Sequence, residues 1–375
     1  MDEGTASSVE IARQWIREGR EIAVATLVES IGSAPFSPGA TMLVDAAGNI
    51  EGSVTGGCVE GALVEEASRV LAGEPPRLRS YGISDELAGT VGLACGGTVQ
   101  IFVERLSAEA APVLDAVLAQ REDGGPSAVA TLLDGPHAGS RLALVADEQL
   151  GGLGAGELLD HNAAREMRGM LDRGVTGLRR YGDDGATMGD AIRVHVASFA
   201  PAPRMVIVGA IDYSAAVARL AGELGYRVTI VDIRKPFLRS PRFSDAAEVV
   251  VAWPGEYLDA QLLGERDAVL VFSHDPKLDE PATIAALRSG AGYVGALGSR
   301  RTQVERAARL RAQGLSQQQL ERVAAPCGLD IGASTPAETA VSVLAEIIAF
   351  HSGRSGEPLA ESSGPIHAVG EDAEA

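Results

Sequence analysis

Five short apolar runs constrain the second half of this chain more than any other feature. They are Met205–Val208, Tyr226–Val231, Glu248–Val251, Ala268–Phe272 and Tyr293–Ala296, with helical stretches between most of them. A strand with one wet face alternates apolar and polar residues; a continuous apolar run is buried on both faces. Such runs alternating with helices predict a doubly wound parallel sheet, with helices on both faces, over residues 201–351. Thr335-Pro336-Ala337-Glu338 is a capping box with proline at the first helical position, so it opens a last helix reaching about Phe350. Residues 352–375 are Gly, Ser, Glu and Pro with few large apolar groups, and are expected to form a disordered acidic tail.

The first half reads differently. Ser8–Gly19 has helical spacing, Glu21–Val28 and Thr41–Val44 read as strands, and residues 32–39 are dense in turn formers. A glycine-rich bend at Ser53–Gly57 leads into an amphipathic helix over Cys58–Leu71. Strands are predicted at Leu78–Tyr81, Thr98–Glu104, Ala128–Leu133, Ser140–Val145 and Ile192–Val196, and a helix over 108–121. Residues 151–190 resist assignment, and no internal repeat is visible. The expected fold class is therefore α/β overall: an N-terminal α+β domain over 1–200, with its core motifs in 8–105, then the parallel-sheet domain. Pro201-Ala-Pro203 marks the boundary, because paired prolines stiffen a linker.

A formal charge of −19 argues against nucleic acid and anionic lipid as partners, since both need Lys and Arg in excess. The three cysteines are an odd, sparse set and no disulfide framework, which points to reduced thiols in a cytoplasm. Met1–Ser8 is polar and acidic with no apolar leader, and no stretch is long and apolar enough to span a membrane.

Five places carry possible chemistry. Gly56, Gly57 and Cys58 combine open backbone, a helix start and a thiol; such a terminus attracts anions and lowers a thiol pKa. Cys95-Gly96-Gly97 is a second thiol in a glycine-rich loop. The two thiols are candidate contacts for a soft metal or for sulfur, although their spacing is no zinc signature. The turn Gly209–Ser214 has the context of a dinucleotide loop, with Asp232 placed for a ribose, but Ile211 and Ser214 replace two of its glycines, and Asp212 is expected to cap the helix. NAD(P) binding is thereby disfavoured. Finally, His274, Asp275 and Lys277 follow one strand, and Gly298, Ser299, Arg300 and Arg301 follow the next; at strand carboxyl ends they suit a phosphate. Asp330, in the loop 326–332, either bonds locally or faces the same crevice.

Eight motifs run through both halves in one order: Gly32-Ser-Ala-Pro35, Pro38-Gly-Ala-Thr-Met-Leu-Val44, Gly56-Gly-Cys-Val-Glu60, Cys95-Gly-Gly97, Ser273-His-Asp-Pro-Lys277, Gly295-Ala-Leu-Gly-Ser-Arg-Arg301, Gly328-Leu-Asp-Ile-Gly332 and Thr335-Pro-Ala-Glu338. In these the chain resembles the XdhC/CoxI family. The resemblance implies an XdhC/CoxI-type N-terminal domain and a Rossmann-like C-terminal one. It implies a carrier that binds the molybdenum cofactor (molybdopterin), protects it and supports its sulfuration. The carrier delivers it to a molybdenum hydroxylase such as xanthine dehydrogenase or carbon monoxide dehydrogenase. A cysteine desulfurase as sulfur source and a homodimer are implied too. Two departures stand out. Gly-Ala-Ile-Asp replaces the family's frequent Gly-x-Gly-His at 209–212, and Cys327 replaces an aliphatic residue. The competing expectations are an NAD(P)-dependent oxidoreductase with His274 and Asp275 as acid/base groups, and an interaction adaptor with a vestigial Rossmann domain.

Overall fold

The structure is a computed structural model that describes residues 3–31, 36–82, 97–106, 110–146 and 148–361. Cys95, Gly96 and most of the proposed tail lie outside the described residues. The chain divides into two compact units, Met1–Pro201 and Ala202–Ser362.

The first unit runs α1 (Glu3–Arg17), β1 (Ile22–Ile31), β2 (Thr41–Asp45), β3 (Ile50–Gly52), α2 (Glu60–Leu71), β4 (Arg77–Tyr81) and β5 (Thr98–Leu106). It continues with α3 (Ala111–Glu122), β6 (Ser127–Leu132), β7 (Arg141–Val145), β8 (Glu148–Gly151), α4 (Glu157–Arg173), β9 (Gly177–Tyr181) and β10 (Ile192–Phe199). The strands form two antiparallel five-stranded sheets, ordered β3-β2-β1-β5-β4 and β8-β7-β6-β10-β9. One face of the first sheet buries Ala23, Ala25 and Leu27 against Leu63, Ala67 and Val70 of α2. One face of the second buries Ala128, Ala130 and Leu132 against Leu159, Ala163 and Met167 of α4.

The two sheets share one strand order, and each is built from α-β-β-β-α-β-β. The unit is thus an internal duplication, which corrects the expectation of no repeat. The copies agree in detail. Gly39 N donates to Leu27 O at 2.7 Å, and Gly139 N to Leu132 O at 2.8 Å. Gly52 and Gly151 both have positive φ, and a Cβ on either would lie 2.2 or 2.5 Å from the carbonyl oxygen of Thr41 or Arg141, so neither position accepts a side chain. Glu66 pairs with Arg79, and Glu166 with Arg179. Glu29 accepts from Gln100 where Asp134 accepts from Arg193. The surviving sequence trace is Leu78-Arg-Ser-Tyr-Gly82 against Leu178-Arg-Arg-Tyr-Gly182. Loop lengths differ between copies, so no fixed period runs through the sequence. The copies meet through Val28, Phe102 and Leu133, with Leu78 and Leu178 packed alongside, and through a buried ion pair between Glu104 and Arg141.

The second unit runs β11 (Arg204–Val208), α5 (Asp212–Glu223), β12 (Arg227–Asp232), α6 (Lys235–Leu238), β13 (Glu248–Val251), α7 (Pro254–Asp259) and β14 (Ala268–Val271). Then follow α8 (Pro276–Arg288), β15 (Tyr293–Ala296), α9 (Arg300–Ala312), α10 (Gln317–Glu321), β16 (Val323–Ala324) and α11 (Pro336–Ser352). All six strands are parallel, in the order β13-β12-β11-β14-β15-β16. Met205 and Ile207 face a core closed by α5 and α11, whereas Val206 and Val208 face one closed by α7 and α8. The capping box at Thr335 forms as read from sequence. Among the described residues no helix is long and apolar enough to cross a membrane.

His195 on β10 marks where the copies diverge. Its cross-strand neighbours are Thr131 and Leu178, and its Nε2 has no partner among the described residues. Strand register makes it the counterpart of Phe102. Burial lowers its pKa from 6.5 to about 4. Between those values the unfolded chain takes up a proton that the native site refuses, so stability falls as the pH is lowered through that range, by up to about 1.4 kcal/mol per unit. Denaturation followed by Trp15 fluorescence in a Trp253→Phe background should show this slope, and His195→Phe should remove it.

Candidate functional site

In the first unit the glycine-rich bend lies between β3 and α2. Gly56 and Gly57 are exposed with φ of +76° and +115°, and Cys58 is half-buried against the α2 core. The sequence makes this a helix start with amides open to an anion. In the structure those amides already hold one: Glu60, at the first turn of α2, folds its carboxylate back under the loop. It accepts from Ser53 Oγ at 2.6 Å, Val54 N at 3.2 Å, Thr55 N at 2.9 Å, Thr55 Oγ1 at 2.8 Å, Gly57 N at 2.8 Å and Val59 N at 3.1 Å. Burial alone would raise the Glu60 pKa; these donors outweigh it and bring it down to about 2. The loop therefore presents a thiol and bare glycine backbone above an ionised carboxylate.

In the second unit the candidate residues gather at the carboxyl ends of neighbouring strands. His274, Asp275 and Lys277 follow β14 and are exposed; Ser299, Arg300 and Arg301 follow β15 and are exposed too. His274 has φ of +62°, a left-handed conformation that a non-glycine residue adopts at a cost. Asp275 caps α8 by accepting from Lys277 N at 3.0 Å, and Ser299 caps α9 by accepting from Thr302 N at 3.1 Å. Arg301 pairs with Glu305 one turn on. Strand order reverses between β11 and β14, the place where open α/β sheets bind ligands.

The turn after β11 is closed by its own neighbours. Gly209 has φ of +109°, and a Cβ there would stand 2.8 Å from Ser273 Cα, so the turn lies against the end of β14. Asp232 is fully buried and accepts from Ala210 N at 2.8 Å and from Arg234 Nε and Nη2 at 2.9 and 2.6 Å. A ribose would have to displace Arg234 to reach it. Asp212 does not cap α5: Ile211 holds the N-cap position with no side-chain bond, and Asp212 pairs with Arg242. Cys327 is buried, and burial followed by the charge of Glu346 raises its pKa to about 12, which leaves an unreactive thiol.

Comparison with known proteins matches both units. The model of the XdhC and CoxI family fits residues 15–82, and the XdhC Rossmann domain fits residues 205–347, together more than half of the chain. The chain belongs to the XdhC/CoxI family. It is 27% identical over 335 residues to a probable xanthine dehydrogenase subunit of Bacillus subtilis, covering 89% of this chain and 94% of that protein. It is 28% identical over 336 residues to the molybdenum cofactor insertion chaperone PaoD of Escherichia coli, covering 90% and 85%. A crystal structure of a xanthine dehydrogenase from Bacillus halodurans shares the fold, with a TM-score of 0.66 at 23% identity over 94% of this chain and 97% of that one.

Two of this XdhC/CoxI chain's supporting residues were not singled out from sequence. Asp279 and Arg306 form a buried ion pair at 2.9 Å, each 3% exposed. Asp279 also accepts from Ser273 Oγ, and Arg306 donates to Leu297 O at 3.2 Å and to Gln303 Oε1 at 2.6 Å. One pair thus ties the loop after β14 to the loop after β15. The only sequence signal was a charge on the core-facing side of each helix, beyond the end of the motif. Among the described residues no three His, Cys, Asp or Glu groups cluster to chelate a metal.

Breaking a buried pair leaves one charge uncompensated, at a cost of about 3–5 kcal/mol. Arg306→Met or Asp279→Ala should each destabilise the second unit by roughly that much. The double variant should cost less than the sum, as denaturation followed by Trp253 fluorescence will report.

Proposed function

We propose that this chain is a molybdenum cofactor-binding chaperone that serves a molybdenum hydroxylase of the xanthine dehydrogenase or carbon monoxide dehydrogenase type. The observation that carries the proposal is similarity to an insertion chaperone along nearly the whole chain. The cargo has a soft metal centre, a flat pterin and a terminal phosphate. Cys58 supplies the soft sulfur contact, with Gly56 and Gly57 letting backbone approach closely. Cys95 and Gly96 are proposed to add a second thiol contact. The amides beneath Cys58 are taken by Glu60 and are not offered to a phosphate; within the second unit, His274, Asp275, Lys277 and the Gly298–Arg301 loop are a separate candidate set for an anion. There Arg300 and Arg301 provide planar donors.

In this reading the chain shields the cofactor, supports exchange of an oxo group for terminal sulfur supplied by a cysteine desulfurase, and hands the product to its client. It works as a homodimer in the cytoplasm.

Expression in a host that makes the cofactor, with anaerobic purification, tests the proposal. Molybdenum by mass spectrometry and pterin by oxidation to its fluorescent product are expected near stoichiometry with the chain. Cys58→Ala should lower molybdenum retention by roughly tenfold or more, as removal of one strong polar contact does. Arg300→Ala with Arg301→Ala is the independent phosphate arm and should weaken retention to a similar degree. A folded parent with neither species bound, in a host whose cofactor supply is verified, sinks the proposal.

A further inference from the structure

The duplication supplies a control within one molecule. Both copies place a loop between the third strand and the following helix, and both send a carboxylate from that helix back to it. In the first copy it is Glu60; in the second it is Asp160, which accepts from Leu153 N at 2.8 Å as Glu60 accepts from Val54 N. Val54 and Leu153 are both fully buried, as are Val59 and Leu159, so the loops share their anchors. There the likeness stops. Asp160 accepts a single amide among the described residues, whereas Glu60 also takes Ser53, Thr55, Gly57 and Val59. Leu158, half exposed, stands where the first copy has Cys58.

The single bond shared by both copies is what the fold needs. The additional donors occur only in the copy with a thiol. We infer that Glu60 is a positioning residue: its carboxylate sets the backbone of 53–59 so that Cys58 and the glycines are held ready for a ligand. The inference rests on reading Cys58 as the cargo-facing group. Rigid supports of this kind lower the ordering cost of binding.

The test compares Glu60→Gln, Glu60→Asp and Asp160→Asn in the full chain. Amide hydrogen exchange over residues 53–59 is followed by peptide mass spectrometry at a fixed pH. Molybdenum and pterin content is measured on the same preparations. Glu60→Gln should speed amide exchange at Thr55, Gly57 and Val59 by roughly tenfold or more, as loss of a strong hydrogen-bonding partner does. It should also lose bound cofactor. Glu60→Asp should recover part of both, and Asp160→Asn should match the parent in both. Amide hydrogen exchange on the parent covers the case in which Glu60→Gln does not fold. Thr55, Gly57 and Val59 should exchange more slowly than residues 154–157 of the other copy. Exchange over residues 53–59 in Glu60→Gln that overlays the parent's, or equal exchange in the two loops of the parent, overturns the inference. A parent without cofactor whose loop exchange still responds to Glu60 supports the positioning role and overturns the carrier reading alone.

Discussion

The carboxylate of Glu60 determines what the first unit can present. A glycine-rich bend ahead of a helix is ordinarily an anion site, because its amides point outward with a helix dipole behind them. Here a side chain of the same helix fills that role, so the bend is a finished structure rather than a receptor for phosphate. What is left at the surface is bare glycine backbone beside a half-buried thiol. That is the chemistry a sulfur-ligated metal recognises.

The second unit follows the same rule with opposite charge. Its exposed groups, His274, Lys277, Arg300 and Arg301, stand at strand ends that Asp279 and Arg306 bind together from below. The buried pair is satisfied on both sides, which is the condition for a buried charge to be tolerated. Asp232 is likewise satisfied by Arg234 and the Ala210 amide, so the turn after β11 keeps its Rossmann shape while its ribose contact is already taken.

Burial controlled what could be read from the sequence. The parallel sheet was legible because strands buried on both faces are uniformly apolar, as β11, β14 and β15 are. The short edge strands β3 and β8 were missed because their residues are nearly all exposed and mostly polar or small. Helix α4 was missed for another reason: its buried face mixes Asn162 and the small Ala163 and Ala164 with Leu159, Met167, Met170 and Leu171, in a stretch otherwise rich in Gly, Asp and Arg. The duplication was hidden because the copies keep backbone pairing and a few contacts, such as Glu66–Arg79 and Glu166–Arg179, while the spacing between equivalent residues drifts. Among the described residues, Gly56–Cys58, His274–Lys277 and Gly298–Arg301 lie on the loops where the sequence put them; Glu60 stands inside a motif, but its hold on residues 53–59 was not read, and Asp279 and Arg306 act across space and leave no mark on spacing.

The central claim is that Cys58 meets the metal of the bound cofactor. Molybdenum K-edge absorption of the anaerobically purified, cofactor-loaded protein tests it most directly, against Cys58→Ser loaded in the same way. The expected result is one sulfur neighbour fewer in the variant, replaced by oxygen, with the remaining sulfur shell unchanged. Identical sulfur shells in parent and variant would contradict the claim and leave the thiol with no part in holding the metal.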